Sequence, residues 1–165
     1  MYRSGIIGTE NSHALAFAKL LNLPDPRTGE LRHPNARVTA VFADHMETAQ
    51  VILDTCEVEH LVEEPEGFFG KVDAMIITNR KGSLHAEYAM PFVERGIPVF
   101  VDKPFTSDVA EAEALVEAAR ASGAKLLGGS GVKLAYDVLM LANSARQAIE
   151  AGELVGAAMN FAADT

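Results

Sequence analysis

This sequence has little that points away from itself. It carries one cysteine, no tryptophan and no block of lysines or arginines. Cys56 alone cannot form an internal disulfide, so a reducing cytoplasm is the simplest setting. It follows the helical-looking stretch Met46–Thr55 and reads as a buried small hydrophobe. Lysine and arginine number 14 against 23 aspartates and glutamates, for a net charge of -9. Nucleic acid and anionic membrane surfaces both need a basic face, and this chain offers none. No apolar run approaches the roughly 18 residues of a membrane span. The N-terminus, Met1-Tyr2-Arg3-Ser4-Gly5, enters a short strand and lacks the apolar core of a signal peptide. There is no Cys/His cluster at zinc spacing, no G-x-S-x-G elbow and no Walker loop. His33, His45 and His60 have no partner at metal-ligand spacing and read as surface or structural.

What is present is a core-forming chain. Its 165 residues are 48% hydrophobic, enough for a domain with a full interior. Strand-like runs alternate with amphipathic stretches. Strands are expected at Gly5–Gly8, Val38–Ala43, Val58–Val62, Ala74–Thr78, Val99–Val101 and Lys125–Leu127. Helices are expected at Asn11–Leu21, Met46–Thr55, Ser83–Arg95, Asp108–Ser122 and Lys133–Ala151. Asp108 and Glu111 fit a capping box, Gly123 closes that helix, and Val109, Ala112, Leu115, Val116 and Ala119 fall on one apolar face. Runs such as Met75-Ile76-Ile77 are apolar at successive positions, as in strands buried on both faces. The alternation implies an α/β fold, a doubly wound, mostly parallel sheet with helices on both faces. Leu23–Ala36, with its three prolines, reads as a surface loop. Leu154–Ala163 is strand-like with nothing after it to pair with. It reads as the start, over residues 153–165, of a C-terminal α+β domain absent here, leaving residues 1–152 as the first domain.

The chemistry-bearing residues fall at the ends of strands, where open α/β sheets place ligands. Gly8-Thr9-Glu10-Asn11-Ser12-His13 occupies the place of a G-x-G-x-x-G phosphate loop, keeping Gly8 but putting Glu10 and His13 at the other two glycine positions. A carboxylate about 4 Å from a phosphate costs roughly 4 kcal/mol at an effective dielectric near 20, so Glu10 must point away or be neutralised for a dinucleotide to bind. Asn11 and Ser12 can cap the helix and face an anion. Asp44, ending the second strand, suits the adenosine ribose and would repel a 2′-phosphate, which favours NAD over NADP. Thr78, Asn79 and Arg80 end the fourth strand, and His85 follows in the first turn of the next helix, expected to face the cleft. Asp102-Lys103-Pro104 follows the fifth strand. There Asp102 can hold the Lys103 ammonium while Pro104 stiffens the turn. Two other readings stay open on these residues. One is a cofactor-free binding or regulatory module, suggested by Glu10. The other is an adenosylmethionine-dependent methyltransferase, which the Asp102-Lys103-Pro104 turn fits poorly.

The order of these features resembles the N-terminal half of the Gfo/Idh/MocA oxidoreductases. The likeness rests on Gly5-Ile6-Ile7-Gly8, on Asp44 after the second strand, and on Val72-Asp73-Ala74-Met75-Ile76-Ile77-Thr78-Asn79 followed by His85. It continues through Val99-Phe100-Val101-Asp102-Lys103-Pro104-Phe105, where Asp102-Lys103-Pro104 is similar to that family's E-K-P motif, and through Ile149–Gly156. The resemblance implies a Rossmann-like domain binding NAD(P), with Lys103 beside the nicotinamide. It implies hydride exchange with a small-molecule sugar, polyol or similar hydroxyl compound. It also implies a second domain that supplies most of the substrate site and often the homo-oligomer interface. On that reading Lys103 and His85 are the candidate catalytic residues. Gly8, Thr9, Glu10, Asn11, Asp44, Thr78, Asn79, Arg80, Asp102, Lys103 and Pro104 line the cofactor. Arg80 stands where the family often has proline.

Overall fold

Side chains on successive residues of a strand point to opposite faces, and the apolar strands of this chain use both. The computed structural model describes residues 1–42, 45–131 and 135–156. Strands β1 (Tyr2–Ile7), β2 (Ala36–Phe42), β3 (His60–Leu61), β4 (Ala74–Ile77), β5 (Val99–Val101) and β6 (Leu126–Gly128) form one sheet. Ile6 and Ile76 face one way, into a core with Ala14, Ala18, Ile52 and Cys56. Ile7, Met75 and Ile77 face the other, into a core with Phe68, Phe92 and Leu115. Helices α1 (Ser12–Asn22) and α2 (Met46–Cys56) therefore cover one face, and α3 (His85–Val93) and α4 (Val109–Ser122) the other.

All the strand pairings are parallel, in the order β3-β2-β1-β4-β5-β6. From β1 the chain winds outward through β2 and β3, then crosses back to β4 on the other side of β1. The direction of winding reverses between β1 and β4, the position at which open α/β sheets place their ligands.

The boundaries differ from the sequence reading in instructive ways. Of Val58–Val62 only His60 and Leu61 pair, at the sheet's edge against Ala40 and Val41. The expected helix Ser83–Arg95 opens as a 3-10 turn over Gly82–Leu84 and runs as α3 only to Val93, with Pro91 inside it; a proline there removes one backbone donor. In α4 half of the expected capping box forms: Asp108 accepts from the N–H groups of Ala110 and Glu111 at 2.7 and 3.2 Å and Gly123 follows with φ 75°, but Glu111 does not bond back, its buried Oε2 having no partner among the described residues. Leu115 and Ala119 are buried, but Val109 is 75% exposed, because it lies in the first turn beyond the sheet's cover. The Leu23–Ala36 stretch is an irregular loop as far as Asn35, with Ala36 opening β2; it folds around Asp25, whose carboxylate takes the N–H of Arg27 at 2.9 Å and Nε of Arg32 at 2.8 Å. Cys56 is buried, and burial pushes its thiol pKa up.

The chain divides into two units, Met1–Gly129 and Ser130–Thr165. Helix α5 (Tyr136–Glu150) belongs to the second. Lys133, the expected start of that helix, lies outside the described residues, as does most of the strand-like run expected at Leu154–Ala163. Its described part, Leu154–Gly156, has no regular structure.

Candidate functional site

The candidate site is built from three loops tied to one another. After β1 the backbone turns at Gly8 with φ +89°, and a Cβ there would lie 2.3 Å from the backbone nitrogen of Asn79. Only glycine fits, and it lets the first loop lie against the loop after β4. Thr78, fully buried, places Oγ1 3.0 Å from the Ile7 carbonyl and 2.7 Å from that of Gly8. Asn11 caps α1 by accepting from the N–H of His13 at 2.7 Å, and its amide donates to the Thr78 carbonyl. Thr9 shares a 2.8 Å hydrogen bond with Thr48 of α2.

Glu10 resolves the difficulty it raised. Its carboxylate accepts from the backbone N–H of Arg80 at 2.7 Å and lies 3.5 Å from the Asn79 amide nitrogen. The Arg80 guanidinium donates back to the Glu10 carbonyl at 3.1 Å. The side chain is thus held to the β4 loop, with the Arg80 guanidinium on the Glu10 backbone. A hollow of about 220 Å³ opens beside Thr9, Asn11, Ser12 and Thr48, and another of about 300 Å³ between His45, Lys81 and Leu84; Glu10 and Arg80 line both.

The third loop corrects two expectations. Asp102 is buried, and its carboxylate does not hold Lys103. Its Oδ2 lies 2.5 Å from Nδ1 of His13, while Lys103 stands exposed with a cis bond to Pro104. His85 does not face the cleft. It is wholly buried, with Nδ1 2.7 Å from the Pro104 carbonyl and Nε2 2.7 Å from that of Asn79. Both ring nitrogens are engaged by backbone, so this side chain fastens the β4 loop to the β5 turn.

The structure therefore brings Gly8, Thr9, Glu10, Asn11, Thr78, Asn79, Arg80, Asp102, Lys103 and Pro104 to one rim. His85 lies behind that rim, and Asp44 falls outside the described residues. The residue that sequence reasoning passed over is His13, seen only as a departure from glycine. Its signal was a histidine in the first turn of α1 in a chain that also has a carboxylate before Lys103.

Residues 2–130 match the family described as "Oxidoreductase family, NAD-binding Rossmann fold", Gfo/Idh/MocA. The chain belongs to this family. It is 37% identical over 84 residues to Dehydrogenase aclE of Aspergillus oryzae, a match covering 51% of this chain and 21% of that protein. Among solved structures it is similar to a probable dehydrogenase from Thermotoga maritima (TM-score 0.67, 19% identity, covering 91% of this chain and 41% of that one). It is also similar to the UDP-N-acetylglucosamine 3-dehydrogenase of Acidithiobacillus ferrooxidans (TM-score 0.70, 21% identity, covering 87% and 41%). A third likeness is to a 3-ketoreductase from Actinomadura kijaniata in complex with TDP-benzene and NADP (TM-score 0.66, 24% identity, covering 92% and 44%). The chain spans less than half the length of each of these relatives. The match covers the Rossmann domain of an NAD(P)-binding oxidoreductase family, and the strand order agrees with that fold.

Proposed function

We propose that the chain is the cofactor-binding part of an NAD(H)-dependent oxidoreductase that exchanges a hydride with a hydroxyl-bearing carbon of a sugar, polyol or similar small molecule. The observation that carries this is the start of α1. At the reversal point of the sheet Gly8 lets the first loop pack onto the β4 loop, and Asn11 caps a helix whose first N–H groups suit a diphosphate. Glu10 is bound to the β4 loop beside Arg80, which supports the cofactor reading over a cofactor-free module.

On this reading Gly8, Thr9 and Asn11 hold the diphosphate at the start of α1, Asp44 holds the adenosine ribose, and Thr78, Asn79 and Arg80 form the far wall. Asn79 suits that wall: its side-chain oxygen is a buried acceptor left without a partner among the described residues. Asp102, Lys103 and Pro104 close the nicotinamide side. The nicotinamide, when bound, supplies the two-electron acceptor or donor. In the reducing direction the Lys103 ammonium hydrogen-bonds the carbonyl oxygen, stabilises the negative charge that builds there as the carbon gains hydride, and gives it the proton that completes the hydroxyl; oxidation runs the same steps in reverse, the amine taking the hydroxyl proton as hydride leaves. His85 acts by fixing the Pro104 and Asn79 carbonyls. The name of one neighbour, a UDP-N-acetylglucosamine 3-dehydrogenase, favours a sugar hydroxyl as the reacting group. Further substrate contacts, and assembly into a homo-oligomer, would come from a second domain.

Calorimetric titration tests the cofactor assignment. NADH is expected to bind at micromolar levels and NADPH more weakly, and Asp44→Arg to reverse that order. Silence at millimolar levels of both would overturn the reading and favour a cofactor-free binding module. Preference for NADPH in the unaltered chain would remove Asp44 from the ribose site.

A further inference from the structure

The charged groups at the rim are sorted unevenly. Glu10 and Arg80 bind each other's loops, through the 2.7 Å contact to the Arg80 N–H and the 3.1 Å contact back to the Glu10 carbonyl. Asp102 is left with two cationic or protonatable neighbours, His13 at the start of α1 and Lys103 next along the chain. The structure gives it to His13. The Asp102 side chain is 7% exposed and Oδ2 lies 2.5 Å from His13 Nδ1, while Lys103 is exposed and has no ion pair among the described residues. A carboxylate and an ammonium on adjacent residues attract one another strongly where water is partly excluded, unless one of them is already bound.

We infer that His13 is a positioning residue which, by binding the Asp102 carboxylate, keeps the Lys103 ammonium unpaired and available to a substrate oxygen. The inference rests on the proposed placement of Lys103 at the reacting end of the cofactor. His13 stands at the third glycine position of the dinucleotide loop, where glycine would give Asp102 no partner. The backbone aims it: its N–H is bound by the Asn11 cap at 2.7 Å, which sets the start of α1 so that the ring reaches over the end of β4 to the β5 turn. A carboxylate only accepts hydrogen bonds, so Nδ1 carries the proton in this contact. Reading His13 as a failed glycine thus misses its use. The loop has exchanged a small residue for one that disposes of the carboxylate beside the lysine.

Competitive acetylation, read by mass spectrometry on the Lys103 peptide with Lys71 and Lys125 as internal references, tests this on the chain itself. In His13→Ala the freed carboxylate turns to Lys103 and favours its charged form. Labelling of Lys103 is expected to slow about threefold, the scale of an exposed ion pair, while the reference lysines are unchanged. His13→Asn places an amide N–H close to the position of Nδ1 and is expected to keep the original rate. The double variant His13→Ala/Asp102→Asn is expected to regain it, because no carboxylate remains to pair. A histidine with a merely structural role would leave the double variant as slow as the single one, and that pattern overturns the proposal. Asp102→Asn alone guards against failure of His13→Ala to fold. Its Lys103 rate should match the unaltered chain, and a clear rise would mean that Asp102 already pairs with Lys103, against the proposal. Failure of NADH to bind would end the cofactor reading without touching these labelling rates. Intact NADH binding with flat labelling across the series would end the role of His13 alone.

Discussion

Gly8 shows how one residue sets the chemistry of the rim. Its φ of +89° and the 2.3 Å approach to Asn79 leave no place for a side chain. Gly8→Ala is expected to cost about 1–2 kcal/mol from the left-handed backbone alone, with more from the overlap, and to weaken NADH binding at least tenfold. Urea denaturation and calorimetry check the two effects; an unchanged NADH affinity would take Gly8 out of the cofactor site. Gly8 was legible in the sequence because only its position after an apolar run was needed. Glu10 and Asp102 were legible as residues but not as partners. Charge and spacing say that a carboxylate must be satisfied; they do not say that Glu10 finds the N–H of Arg80, 70 residues away, or that Asp102 finds His13, 89 residues away. Asn22 is a sharper case. Nothing local marks it, yet its buried amide bonds the backbone of Val38 and Cys56 and ties the end of α1 to β2 and α2.

The elements followed their local signals where those signals were complete. The Asp108 cap and Gly123 stop bounded α4 as expected, whereas Pro91 sits within α3 and that helix ends early. Strand β1 is pinned to β4 by Arg3 and Asp73. The guanidinium contacts both carboxylate oxygens at 3.1 and 2.8 Å, and the Arg3 N–H adds a third bond at 2.8 Å. These side-chain bonds, then the backbone one, lower the Asp73 pKa to about 2. The unfolded chain returns it to about 3.9. A group with a depressed folded pKa contributes stability that is fully present above the unfolded value and is lost as pH falls through the folded one. Asp73→Asn should therefore lower the urea midpoint at pH 7, and the gap to the unaltered chain should close as pH falls from about 4 toward about 2. Both partners are well exposed, so the neutral-pH difference is expected to be small. A gap that persists to the lowest pH would assign the effect to packing rather than to the ion pair.

For the molecule as a whole the decisive fact is the strand order. Alternating strands and helices imply a parallel sheet, and the length of each crossover is readable in the chain. That β4 lies against β1, with the winding reversed between them, becomes visible only when the strands are paired. The last backbone bond of the sheet region, from the Gly129 N–H to the Val101 carbonyl at 3.0 Å, coincides with the end of the first unit at Gly129. A chain ending at Gly129 is accordingly expected to unfold in one cooperative transition, with a urea midpoint near that of residues 1–165, and to bind NADH equally well. Loss of cooperativity on that truncation would show that the Rossmann core depends on the segment that follows it.

Residue order alone was enough for the class of the fold, the faces of its strands, the glycine turn and the lysine at the end of β5. All of these follow from local pattern: apolar periodicity, capping residues, and a backbone that only glycine can adopt. The tertiary structure decided which charges meet. It turned Glu10 onto Arg80, buried His85 between two carbonyls, and set His13 against Asp102, leaving Lys103 exposed and without an ion pair among the described residues. Those pairings join residues brought together by strand order rather than by chain spacing, and burial selects them because a charged or polar group taken from water must find its partner wherever the fold supplies one.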